Sequence, residues 1–446
     1  MTKVHSWFAA LVLACLPACA SAEPAALPAE ALIEDVTDWQ DWLFATHPQP
    51  EFSMDVATVD AAFHALRERL DGRYTRREAW LELATLNPLF ADGHVTLRLP
   101  QADYEAWLVD GGPAFTLPVR IIGNRLIVGT IVDPASALAA GSEITHINGQ
   151  PAGAILAAAL ARANGDTPGL RAHVVETRFP RFLWALTGGA EAWQLDVIRP
   201  DGSIASHQLD PASDRAGTAP QPWSLDFMHI DAAQGEAAIL TLNTFMPTLE
   251  SGFAAFIDAS FAEIDARGAA ILIIDISENG GGAHQLSDHL LAYLTDQRHT
   301  PISAVTARIT PENQPLVPGA RIGEILSLPF AQWVEPPASL DHRFTGRVAF
   351  LVGAGTYSQA IVLATTAQDF NIAPVAGPGT EGRANSTGQV QFHTLAHSGL
   401  EVAAPIYVFT RASGDTSSAP VVPDIPLSGP REAQISALIA HLLADD

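Results

Sequence analysis

The sequence predicts an α/β protein in which a helical N-terminal region and a small β-rich module precede a C-terminal layer of alternating strands and helices. Ala270 to Ile276 is a near-continuous apolar run, the pattern of a strand buried on both faces, and glycines and a helical stretch follow it. From Ala237 onward such runs alternate with amphipathic ones, as an α/β layer requires. Upstream, Leu32 to Leu86 keeps helical spacing, whereas Pro113 to Leu209 is broken by Asn-Gly and Asp-Gly turns.

Size and composition bound the rest. A chain of 446 residues implies two or three domains, and 48% hydrophobic against 16% charged residues implies a well-buried body. The formal net charge of −25 argues against nucleic acid or anionic lipid as partner. Residues 1–22 read as a secretory signal: Lys3 is its basic start, Trp7 to Leu16 its apolar stretch and Ala20-Ser21-Ala22 its cleavage site. An exported protein, periplasmic or secreted, is therefore expected. Leu16-Pro17-Ala18-Cys19 also resembles a lipoprotein cleavage box, which makes Cys19 a candidate lipid anchor and leaves an outer-membrane lipoprotein open. No later apolar run reaches transmembrane length. Both cysteines, Cys15 and Cys19, fall inside the signal, so the body has no thiol for disulfides, catalysis or metal binding. Lys3 is the only lysine, which excludes a lysine base or Schiff base in the body.

A Pro/Ala linker covers residues 23–30. Thr75-Arg76-Arg77-Glu78 is a capping box that opens a helix bearing Trp80, Leu83 and Leu86, and Asn87-Pro88 is expected to end it. After the Asp92-Gly93 turn, Val95, Leu97 and Leu99 alternate as a strand. Leu117 to Val132 reads as two strands separated by Asn124-Arg125. Asn148-Gly149 and Asp201-Gly202 mark further hairpins, and helices between Ile155 and Gly188 read as an insertion. The C-terminal layer is expected to run strand 238–242, helix 253–264, strand 270–276, helix 284–294, strand 348–352 and helix 359–367. A last helix has Ile435, Leu438, Ile439, Leu442 and Leu443 on one face.

Two strand-to-helix junctions could carry chemistry. Gly280-Gly281-Gly282 follows a buried strand, where backbone N–H groups can hold an anion, although a tight turn also explains glycines there. The anion could be a phosphate or the oxyanion of an acyl transfer, and the lack of a P-loop lysine lowers the phosphate reading. Ser358 follows a second such strand, where the helix dipole favours negative charge, though capping the helix is the common job of a serine at that position. His284 and His289, five apart, point to different sides of a helix, and His393 and His397 have no carboxylates near them in sequence, so no metal site and no cofactor are expected. No Gly-x-Ser-x-Gly supports an α/β-hydrolase.

Taken in order, Asp275-x-x-x-Asn279-x-Gly281-Gly282, Thr356-Tyr357-Ser358, Val375-Ala376-Gly377-x-x-Thr380-x-Gly382 and Pro423-Asp424 resemble the tail-specific (carboxyl-terminal processing) protease superfamily. Leu89-x-x-Asp92-Gly93-His94 resembles its tricorn-like and retinoid-binding-protein-like branches, and GSEITHINGQPAG resembles the carboxylate-binding PDZ module. The resemblance implies a crotonase-like spiral at 220–446, a PDZ-like module with a helical insertion at 113–212 and a helical N-terminal region at 31–100. It implies Ser358 as nucleophile, the amides of Gly281, Gly282 and Gln359 as oxyanion hole, and a peptide or protein substrate engaged by its C-terminus. Arg383 replaces the lysine base of the processing branch, which leaves His94, in the position of the tricorn-like base. The acidic orienting residue is best matched by Asp415, then Glu381, and Ser277 stands where an arginine is usual. Two alternatives stay open: a non-catalytic binder of peptides or lipophilic ligands on the same fold, and a small-molecule esterase or amidase.

Overall fold

The computed structural model describes residues 26–130, 138–211, 221–231, 235–330 and 333–444. The signal expected at 1–22, with Cys15 and Cys19, lies outside them, as does the boundary expected between 212 and 220.

Helical periodicity at the N-terminus produces α1 (Ala29–Thr46), α2 (Val56–Arg69) and α3 (Arg76–Leu83). The buried stripe Leu32, Val36, Trp39 and Leu43 packs on α2, with Trp39 edge-on to Phe63 at 5.2 Å between ring centroids. The Thr75/Glu78 capping box forms as read. The helix it opens ends at Leu83, before Asn87-Pro88, and Pro88 sits in the first turn of a new helical segment, Asn87–Phe90. Proline lacks only an N–H that a first turn leaves unpaired anyway. The strand read over 95–99 shrinks to β1 (Thr96–Leu97).

Next comes an antiparallel sheet in sequential order: β2 (Val119–Ile122), β3 (Arg125–Val128), β4 (Glu143–Ile147), β5 (Gln194–Ile198) and β6 (Ile204–Gln208). Its first turn is Gly123-Asn124, one residue earlier than read, because Arg125 already pairs with Ile122 and Gly123 takes φ 62°. Asn148 and Gly149 both adopt positive φ, as the tight hairpin requires. Helices α4 (Ala152–Leu160) and α5 (Pro168–Thr187) intervene between β4 and β5, and α5 breaks at Arg178 (φ −116°, ψ 17°) just ahead of Pro180.

The C-terminal layer is a six-stranded sheet built from β7 (Trp223–Asp231), β8 (Gly235–Leu242), β9 (Ile271–Asp275), β12 (Arg347–Leu351), β13 (Val375–Gly377) and β16 (Ile425–Pro426), paired in that order. Only the β7/β8 pair is antiparallel. Every residue of β9 is buried. Helices α6 (Glu250–Arg267), α7 (His284–Ala292) and α8 (Gln359–Asp369) cover one face, and Ile435, Leu438, Ile439 and Leu442 of α9 (Arg431–Ala444) pack in the core of the other.

A second C-terminal sheet runs β11 (Ile325–Pro329), β10 (Ile302–Arg308), β15 (Glu401–Arg411), β14 (Thr387–Thr394). The short β1 joins it, with Leu97 opposite Val402 and Thr96 opposite Ala403. One apolar core accordingly joins the N-terminal helices, the middle sheet and Leu395, Leu400 and Val402. No described helix is long and apolar enough to cross a membrane.

Candidate active site

Two parallel neighbours, β9 and β12, deliver the two glycine-containing junctions side by side. The Thr356 hydroxyl donates to the carbonyl of Ile276, and the Tyr357 amide donates to that of Asn279. Asn279 shapes the first junction, donating to the Leu242 carbonyl and accepting from the Gly281 amide at 2.8 Å. A Cβ on Gly281 would stand 2.7 Å from both the Gln359 nitrogen and the Ser358 Cβ, so only glycine permits this approach.

Ser358 occupies φ 53°, ψ −121°, a conformation strained for any residue with a side chain. Its hydroxyl makes no capping bond to α8, which removes the helix-cap reading. It faces His94 instead, with 3.3 Å between Oγ and Nε2 across 264 positions of sequence. The Nδ1 of His94 lies 2.9 Å from Thr387 Oγ1, and the Thr387 hydroxyl donates to Asp92 at 2.9 and 3.0 Å. Since Thr387 uses its proton on Asp92, it meets His94 as an acceptor. That places the imidazole proton on Nδ1 and leaves Nε2 free to take one from Ser358.

Asp92 is buried, accepts the His94 amide at 2.7 Å and lies 3.7 Å from His94 Nδ1. Burial works against its charge, but the imidazoles of His47 and His94 outweigh it and hold the carboxyl below its usual range. Asp166, from the segment between α4 and α5, accepts from the amides of Gly93 and Arg383 and from the Tyr357 hydroxyl. Burial, then the charge of Asp92, push its carboxyl up. Burial followed by Asp166 raises Tyr357 as well, so Tyr357 stays a donor.

The expected acidic partner, Asp415, is not here. It is exposed, and its carboxylate accepts from the amide and hydroxyl of Ser417, two residues away. Glu381 accepts from Thr167. The carboxylate that stands behind His94 is that of Asp92, through Thr387. Its position just ahead of Gly93-His94 reads in sequence as an ordinary turn aspartate, and nothing there announces the intervening Thr387. Of the expected oxyanion donors, Gly281 has its amide engaged by Asn279, whereas among the described residues the amides of Gly282 and Gln359 have no partner. Arg383 turns away from Ser358 toward Asp166 and the Ala91 carbonyl. Ser277 leaves Asp275 without an arginine two residues on, and Asp275 pairs with Arg431 of α9.

Ser358, Gln359 and Gly282 open onto a cavity of about 980 Å³, whose walls include Ile302, Val305, Leu328, Trp333, Tyr407 and Phe409. Among the described residues no cluster of three His, Cys, Asp or Glu side chains could hold a metal. His393 and His397, read as lacking carboxylates, pair with Asp38 and Glu34 of α1.

Residues 236–427 match the family model of peptidase family S41. No curated protein matches. Among solved structures, mature CPAF complexed with lactacystin aligns with a TM-score of 0.65 at 14% identity, covering 94% of this chain and 99% of that one. Mature CPAF alone gives 0.63 at 14%, covering 93% and 96%. The photosystem II D1 C-terminal processing protease gives 0.48 at 16%, covering 89% and 93%.

Proposed function

We propose that the chain, a member by residues 236–427 of the tail-specific protease superfamily of peptidase family S41, is a serine peptidase whose reaction is carried by Ser358 and His94, with Thr387 and Asp92 behind the histidine. The supporting observation is the 3.3 Å approach of His94 Nε2 to a hydroxyl that has no capping role. Ser358 Oγ attacks the scissile carbonyl carbon while His94 Nε2 takes its proton. The imidazolium is stabilised through Thr387 by the buried negative charge of Asp92. The amides of Gly282 and Gln359 hold the oxyanion, with Gly281 shaping the turn rather than donating. His94 then protonates the leaving amine, and water, deprotonated by the same nitrogen, releases the acyl group and restores Ser358.

An apolar residue on the acyl side fits the walls of the larger cavity. Capture of a C-terminus at the β2 edge has less support. The Ile121 amide already donates to Glu176 of α5 at 2.8 Å, and Glu176 also pairs with Arg120, so a strand added there would have to displace this carboxylate. A crotonase-like spiral for 220–446, a PDZ-like module at 113–212 and export by residues 1–22 complete the reading.

A fluorophosphonate probe tests it. Mass spectrometry of the intact protein is expected to find one adduct, mapped to Ser358, that is absent from Ser358→Ala and slowed at least about 100-fold in His94→Gln. A protein that stays unlabelled at Ser358 is a binder on this fold, not a peptidase.

A further inference from the structure

A second histidine, His47, flanks Asp92. It closes α1, where Pro48 follows and the backbone turns from helical to extended (φ −68°, ψ 126°). Its amide donates to the Leu43 carbonyl at 2.9 Å, and its carbonyl accepts from the guanidinium of Arg308 in β10 at 3.1 Å. Its Nδ1 accepts from the Gln49 amide at 3.1 Å, which places the ring proton on Nε2. Backbone and one ring nitrogen are thus committed, on a side chain that is fully buried.

The other ring nitrogen is not. Among the described residues Nε2 has no hydrogen-bond partner, and it faces Asp92 Oδ2 at 3.8 Å. A buried donor left open is costly, so a gap of this size beside a carboxylate is a contact waiting to close. Asp92 has a use for it. Its oxygens already accept the His94 amide and the Thr387 hydroxyl. Burial works against its charge, and His47 comes first among the groups that oppose burial, ahead of His94. The remaining ionisable neighbours offer less. Asp166 sets a second carboxylate near it, Tyr357 meets the same pair of carboxyls, and the Arg383 guanidinium lies 3.7 Å from Asp166.

The demand on Asp92 rises during the reaction. Once His94 holds the serine proton, an imidazolium stands where an imidazole stood, and a carboxylate that keeps its charge lowers the cost of forming it. Hydrogen bonds that are long in a resting site shorten as that charge develops. Resting on the serine peptidase reading above, we propose that His47 is a positioning residue for the reaction: its Nε2–H closes onto Asp92 Oδ2 as His94 takes the serine proton, and fixes that carboxylate, charged, against Thr387. No proton leaves His47, and its ring touches no substrate.

Saturation kinetics of fluorophosphonate labelling test it, in a double-mutant cycle of His47→Leu and Asp92→Asn. His47→Leu should lower the limiting rate about tenfold or more with an unchanged half-saturating concentration. His47→Gln, which returns an N–H near the place of Nε2, should recover most of that rate. In the Asp92→Asn background the same His47→Leu change should cost less than about twofold, because no carboxylate charge is left to hold. Near-ultraviolet circular dichroism reports that the variants are folded, and His47→Met takes the place of a leucine variant that is not. A wild-type rate in His47→Leu, an equal fall in both backgrounds, or a glutamine variant as slow as the leucine one overturns the proposal. A wild type that is never labelled sinks the catalytic reading separately. Carboxyl NMR of protein carrying isotope-labelled aspartate then decides the contact. An Asp92 titration midpoint that is higher in His47→Leu than in wild type, and brought back by His47→Gln, supports it; an unmoved midpoint overturns it.

Discussion

Ser358 stores backbone strain where its hydroxyl is presented, and glycine is the residue that relieves such strain. At φ 53° and ψ −121° a side chain costs roughly 1–3 kcal/mol. Ser358→Gly is therefore expected to be inactive yet more stable than the wild type by about 1 kcal/mol, read from urea unfolding; a less stable variant would show that the strain is absent. Thr387 gives a second prediction. Thr387→Val keeps shape but removes both the acceptor for His94 Nδ1–H and the donor to Asp92. It should lower kcat roughly 100-fold with little change in KM, and Thr387→Ser should restore most of it. Equal loss in Val and Ser would reduce Thr387 to a packing role. At this scale the sequence points to the serine and histidine proposed as nucleophile and base, because glycines, a serine and a histidine stand in recognisable order. It does not show the carboxylate. Asp92 reaches His94 through a threonine 295 positions away, and a contact of that length leaves no local signature.

Secondary elements were legible wherever one period persisted. The observed bounds of β9, α7 and α8 differ from the expected ones only at the ends, and α9 buries Ile435, Leu438, Ile439 and Leu442 of the face read for it. The element that matters most to the site was the least legible. β1 has only two residues, and its alternating neighbours Val95 and Leu99 read as a longer strand because both need burial whatever their pairing. It is held from outside by Asn87, whose amide group donates to the carbonyls of Leu97 and Arg162 and accepts from the Leu97 amide. One side chain thereby stands in for a strand neighbour. Asn87→Ala would orphan buried backbone groups, with an expected loss of about 3 kcal/mol by denaturant unfolding. Because β1 follows His94 by one residue, fluorophosphonate labelling should slow in the fraction that remains folded. Unchanged labelling would mean that the loop of His94 holds its place without β1.

Across the whole molecule, the carboxylate of Asp166 ties together three segments far apart in sequence, through the amide of Gly93, the hydroxyl of Tyr357 and the amide of Arg383. Its pH behaviour differs in sign from that of Asp92. Asp92 is depressed, so its stabilisation is present above the ordinary carboxylate pKa and is lost as pH falls through the lower folded value. Asp166 is raised, chiefly by burial, so the folded chain binds its proton more tightly than the unfolded one. That contribution is complete below the ordinary carboxylate pKa and declines as pH rises through the higher folded value. Asparagine cannot carry the charge that folding disfavours. Relative to wild type, Asp166→Asn should gain stability as pH is raised from strongly to weakly acidic, measured by thermal unfolding across that range. A difference that stays flat with pH would show that Asp166 keeps its ordinary carboxylate pKa in the fold. Activity should move the other way at neutral pH, because an amide oxygen serves fewer donors than a carboxylate. One of the three segments is then released, and hydrogen exchange should locate the loosening at residues 91–95 or around Tyr357.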